Sequence, residues 1–148
     1  MVPLPRVLPP TSPRSPVRPL DPGVYTLTDV RWGMSLDLSG ADDRSLIGFG
    51  MHGWENQQWE FSRLGAGYMI RSMHSQAFAT LDGFNMQSGG VASIAAGSFP
   101  VCWDLEVLTH FDSEDEDEDI YARIRWPNSD LAWGLAGEHV GARVRCLL

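Results

Sequence analysis

The order of residue types in this chain begins three times. Tyr25, Tyr68 and Tyr121 open the rounds, each inside a short stretch of apolar and β-branched residues. Met34 to Gly40 is answered by Ala77 to Gly83 and again by Leu131 to Gly137, each run closing on glycine. Ser45 to Phe49 is answered by Val91 to Ala95 and by Gly141 to Cys146. Gln57-Gln58-Trp59-Glu60-Phe61 is answered by Val101-Cys102-Trp103-Asp104-Leu105, with Trp103 standing for Trp59 one residue out of step. A repeat of about 40–50 residues means an architecture in which no copy buries its apolar face alone.

Within each round the pattern is that of strands. Trp59 and Phe61 alternate with Gln58 and Glu60, the period of a strand with one apolar face. Val24 to Val30 is rich in β-branched and aromatic residues, and 33–40 is a short alternating run closed by a turn. No window carries an apolar period of 3.6, so the expected fold is all-β, with the fourth strand of round one at 57–61. The repeats are bounded at 22–65, 66–111 and 120–148, and the acidic run 112–119 forms a loop between the last two.

Composition narrows the class. At 148 residues one domain is expected, and the net charge of −8 comes largely from the seven carboxylates in 112–119, which repel and favour a solvated loop. All eleven basic residues are Arg, and no basic patch points to nucleic acid. Residues 1–21 hold many Pro with Arg6, Arg14 and Arg18, a composition expected to stay disordered; its P-x-x-P matches at 13–16 and 16–19 are cheap in such a tail. Two cysteines, Cys102 and Cys146, make no disulfide framework and are expected as buried free thiols. There is no apolar run long enough for a membrane span and no secretory apolar core at the N-terminus, so a cytoplasmic protein, or one exported without a classical signal, is expected.

Three copies of a four-strand unit carrying Gly-Val-Tyr at 23–25, Leu-Asp-Leu-Ser-Gly at 36–40 and Asn-Gln-Gln-Trp at 56–59 resemble the ricin B-type lectins, also called carbohydrate-binding module family 13, and look most like their fungal members. The resemblance covers residues 22–148. It implies a β-trefoil of twelve strands, six in a barrel and six in capping hairpins, and a galactose/GalNAc-type glycan as partner, with no cofactor or metal. Rounds two and three lack Gln-x-Trp, and the twelfth strand has no counterpart in 120–148. Two open edges are therefore expected, at 24–30 and 142–146, and with them a chain that is either marginally stable or self-associated through the open edge between them.

The resemblance also assigns residues. Asp37 is the hydroxyl acceptor, expected to be exposed; Phe49 stacks on the sugar's apolar face; Asn56 and Gln57 supply amides; His52 and Trp54 widen the platform. Trp59 and Trp103 belong to the structural core. Thr80 and Gly134 replace Asp37 in the later rounds, so one live site at most is expected. Read without the resemblance, Asp37 caps a turn, Asn56 and Gln57 hold a hairpin and Phe49 is core.

Other motifs carry less. Gly48-x-Gly50-x-x-Gly53 spells a dinucleotide fingerprint, but the residues after it read as strand, not as a phosphate-holding helix. His52, His74, His110 and His139 lack metal-ligand spacing, and there is no nucleophile elbow, so no enzymatic activity is expected. Besides a lectin, a fungal-type β-trefoil protease inhibitor and a degenerate, non-binding interaction module remain open.

Overall fold

The computed structural model of the chain describes residues 19–84, 92–108 and 120–147; the acidic run 112–119 and all but the last residues of the Pro-rich tail lie outside them. Among the described residues the chain forms eleven strands. The first repeat contains β1 (Gly23–Tyr25), β2 (Ser35–Leu38), β3 (Leu46–Phe49) and β4 (Trp59–Leu64). The second contains β5 (Gly67–Ser72), β6 (Phe78–Phe84), β7 (Ala92–Gly97) and β8 (Asp104–Val107), and the third β9 (Ala122–Arg125), β10 (Ala132–Leu135) and β11 (Val144–Leu147).

The strands sort into two sets. β1, β4, β5, β8 and β9 are joined antiparallel in that order, β5 and β8 through the Tyr68–Trp103 bridge, as one curled wall. Gly65 turns β4 into β5 with a positive φ of 57°, as a two-residue hairpin favours at its first position. Gly67 lets β5 approach β8: a Cβ there would lie 2.3 Å from the Trp103 carbonyl oxygen. The hairpins β2–β3, β6–β7 and β10–β11 cap the wall and meet around a threefold centre. Ser45 bridges Ala95, Ser93 pairs with Arg145, and Arg143 bridges Ile47, the same contact made three times in a ring. The Ala96 N–H donates to the Arg44 carbonyl and the Gly48 N–H to the Ala142 carbonyl, again matching positions. This is the β-trefoil plan.

The core repeats as well. Leu46, Ile94 and Val144 occupy one position in the three rounds and are all buried. Trp59 and Trp103 are fully buried, and each indole N–H donates to the carbonyl of its own second strand, Leu36 at 3.2 Å and Ala79 at 2.9 Å. Tyr25 faces Trp59 as Tyr68 faces Trp103. In the third round Trp133 stands where Leu36 and Ala79 stand, and its ring meets Trp103 edge-on at 5.1 Å. Burial of Trp59 and Phe61, with Glu60 half-exposed between them, matches the alternation in the sequence.

Several expectations need correction. β1 ends at Tyr25, not near 30, because Asp29 starts a turn: its carboxylate accepts from the Trp32 N–H at 2.7 Å and its carbonyl from the Gly33 N–H. The packed chain reaches back to Leu20, which is buried and whose carbonyl accepts the Tyr68 hydroxyl at 2.8 Å. Asn56 and Gln57 lie in a single 3-10 turn, Glu55–Gln57, not in the fourth strand, so a short helical turn does follow Gly53. β11 is flanked by β10 and β7, so the open edge expected at 142–146 does not exist. Among the described residues β1 pairs on one side only. Cys102 is a half-buried free thiol beside the Leu64 carbonyl.

The hairpin register also shifts the matching of the third strands. Asp37 pairs with Ile47 and Thr80 with Ala95, so Ser93–Gly97, not 91–95, corresponds to Ser45–Phe49. Gly97 is thus the counterpart of Phe49.

Candidate functional site

The β2–β3 register places Asp37 and Phe49 on one face of the first hairpin, as diagonal neighbours. The chain then runs through 50–58 before entering the wall at Trp59. That segment folds back over Asp37, and its polar groups converge there.

Gln57 is the strut. It is fully buried; its amide nitrogen donates to Asp37 Oδ2 at 2.9 Å and to the Gly50 carbonyl at 2.8 Å. Its amide oxygen accepts from the backbone N–H groups of His52 at 2.9 Å and Gly53 at 3.1 Å. Both ends of the amide are engaged, so Gln57 positions the loop and has no free group to offer a ligand. Gln58 adds a second tie, donating to the Gly53 carbonyl at 2.9 Å. Gly53 sits at φ 75°, where a side chain would be strained.

Asp37 is 3% exposed, not the exposed acceptor expected from the sequence. Besides Gln57 it accepts from Asn56 Nδ2 at 3.1 Å on Oδ1, and His52 Nε2 lies 3.2 Å from Oδ2. His52 Nδ1 accepts the Trp54 N–H at 3.1 Å, which leaves the ring proton on Nε2, directed at Asp37. An ionised carboxylate has about four lone-pair directions. Donors among the described residues fill three of them and leave one, and they orient the carboxylate from three sides. Asn56 also reaches the Leu38 carbonyl at 3.4 Å and is half-buried.

Three rings line the outer side. Phe49 is 41% exposed, so it is not core; its ring lies 6.0 Å from that of His52. His52 in turn lies 5.3 Å from Trp54, which is 75% exposed. Trp54 reaches this site through the His52 ring, which itself bonds Asp37. All six residues singled out in the sequence are thus brought to one place, in unequal roles. Met51, which the sequence did not flag, is exposed beside them with its sulfur 3.4 Å from the Ser35 hydroxyl. Its irregular spacing in a glycine-rich stretch carries no sequence signal.

The other repeats lack this construction. In the second, Thr80 takes the Asp37 position and Gly97 the Phe49 position, and the Thr80 methyl lies 2.6 Å from where a Cβ on Gly97 would be. Only 98–102 connects β7 to Trp103, so the segment that carries His52, Trp54, Asn56 and Gln57 has no counterpart. In the third, Gly134 replaces Asp37. Elsewhere on the first hairpin Asp42 has a carboxyl lowered to about 2, chiefly by the Ser45 hydroxyl, then by the backbone N–H groups of Ser45 and Arg44. Among the described residues no three His, Cys, Asp or Glu side chains cluster as a metal site, and no helix is long and apolar enough to cross a membrane.

The architecture is shared with solved structures. The chain matches the Macrolepiota procera ricin B-like lectin, solved in complex with lactose, with 26% identity, a TM-score of 0.72 and 88% of each chain covered. It matches the Rhizoctonia solani agglutinin with 18% identity and a TM-score of 0.64, over 88% of this chain and 89% of that one. It also matches ThreeFoil, a designed 3-fold symmetric protein, with 21% identity and a TM-score of 0.63, over 82% and 86%. No protein-family profile matches the sequence. No curated protein matches it either.

Proposed function

We propose that this chain, a β-trefoil of the ricin B-like lectin kind, binds carbohydrate through its first repeat alone, and that the ligand is a galactose/GalNAc-type glycan. The observation that carries the reading is an oriented, nearly buried carboxylate with one open lone-pair direction beside an exposed Phe49 ring. A pyranose presents hydroxyls on its edge and C–H groups on one face. Asp37 accepts one hydroxyl, Asn56 offers its amide beside it, and Phe49 supports the apolar face. His52 and Gln57 hold the carboxylate and the loop. The lactose complex of the Macrolepiota procera lectin supports the ligand class. The reading contains no catalytic step.

One site per chain gives modest affinity for a monosaccharide, so avidity depends on linking copies. The side of β1 that pairs with none of the described strands is where a second copy would add backbone hydrogen bonds.

A glycan array on the purified chain, run beside papain and trypsin inhibition assays, tests the proposal. Retention of galactose-terminated glycans with no effect on either protease is the expected outcome. Inhibition of a protease with an empty array would replace it with the inhibitor reading, and silence in both would leave a non-binding module.

A further inference from the structure

Trp54 leaves three-quarters of its surface to solvent, yet its position is fixed. Its backbone N–H donates to His52 Nδ1 at 3.1 Å and its carbonyl accepts the Gln57 N–H at 2.8 Å. Gln57 and Gln58 fasten the preceding residues through Gly50, His52 and Gly53. The Trp54 backbone is therefore held on a preorganised loop, with the indole at a 57° tilt to the His52 ring and three-quarters exposed. Large rigid aromatics presented this way suit a ligand surface that is apolar on one face, and ordering in advance removes part of the cost of binding.

The place of the ring decides which surface. Phe49, His52 and Trp54 touch in succession, with neighbouring centroids 6.0 and 5.3 Å apart, and the middle ring, His52, is the one bonded to Asp37. A single sugar bonded to Asp37 and resting on Phe49 lies to the Phe49 side of His52 and leaves Trp54, the most exposed of the three rings, without a sugar against it. Phe99 in the second repeat is as exposed, but Thr80 takes the Asp37 position on its hairpin, and the carboxylate that hairpin does carry, Asp82, is paired with Arg44. We infer that the site accepts an oligosaccharide, with the sugar next to the terminal one resting on Trp54. This rests on the first repeat being a sugar site, and it adds a specificity-determining residue beyond the groups around Asp37.

Calorimetric titration of the full chain with methyl β-galactoside and with lactose tests it, comparing the wild type with Trp54→Ala, Trp54→Phe and Phe99→Ala. The expected result is a wild-type preference for lactose of ~10-fold, the scale of one good aromatic contact. Trp54→Ala should reduce that ratio to near one, Trp54→Phe should keep part of it, and Phe99→Ala should not change it. A ratio unchanged in Trp54→Ala overturns the inference, as does equal weakening of both ligands, which would mean that Trp54 only shapes the loop. Dissociation of a wild-type oligomer by Trp54→Ala also overturns it, because the indole would then cover another copy. Failure of the wild type to bind either sugar sinks the galactose-type reading itself, an outcome distinct from binding without a preference.

Discussion

The first and second repeats bury a tryptophan at the same point of the wall and satisfy it in the same way, with the indole donating to a second-strand carbonyl. They then differ in how the chain arrives there. The first repeat uses 50–58, long enough to fold back over the hairpin and hold Asp37 from three directions; the second uses 98–102, which spans the gap and does little else. Gly97 and Thr80 complete the contrast, the threonine methyl occupying the space where a side chain on Gly97 would begin. The scaffold and the candidate site are thus separable: the tryptophan strand belongs to the fold, and the segment before it builds the enclosure around Asp37, the proposed binding site.

That separation can be broken most forcefully at the tryptophans. Trp59→Ala and Trp103→Ala should each cost about 3–5 kcal/mol, the usual range for a buried aromatic truncated to alanine. Chemical denaturation measures both. Costs differing by more than about 2 kcal/mol would show that the two repeats do not share one core role.

A middle-sized effect is expected at Gln57. Truncation to alanine strands the Gly50 carbonyl and the His52 and Gly53 N–H groups, and removes a donor from Asp37. The loss should be about 2–3 kcal/mol, with sugar binding lost as well. A variant that melts as the wild type does would mean that water replaces the strut and that the loop is not built around it.

The smallest effect belongs to Asp42, on the connection between β2 and β3. Its folded carboxyl is depressed to about 2 from an ordinary 3.8, so its contribution is present above about pH 4 and fades as pH falls toward 2. The group is exposed, so solvent screening keeps the gain small. Denaturation of Asp42→Asn and wild type at pH 7, 4 and 3 should show a small deficit that shrinks with acid. A deficit that grows with acid would contradict the assigned bonds.

Much of the scaffold was legible in the sequence because its signals are local. Trp59 and Phe61 alternate within five residues, and three Tyr and three Gly recur in order. The site was legible only as a set of residue types. Asn56-Gln57 before Trp59 marks a polar turn, but which amide touches a ligand and which is a strut depends on where each points, and Gln57 points inward. Asp37 looks like a surface acid between two leucines; its burial follows from the loop folded over it, which no strand periodicity reports. The alignment of the second repeat misled for a similar reason. Its hairpin spans more residues between paired strands and its following segment fewer, so the changes nearly cancel and Trp103 falls only one residue out of step. Hydrogen-bond register separates the two changes where spacing sees their sum.

The central claim is that one sugar site exists, in the first repeat, and that it is separable from the core. Titration of the wild type and Phe49→Ala with lactose, with the melting temperature of each, tests it most directly. Phe49 is exposed at the end of β3, so its removal should leave the fold untouched. The account predicts one lactose per wild-type chain, and binding lost in Phe49→Ala with the melting temperature unchanged. More than one site per chain, or full binding by Phe49→Ala, would contradict it.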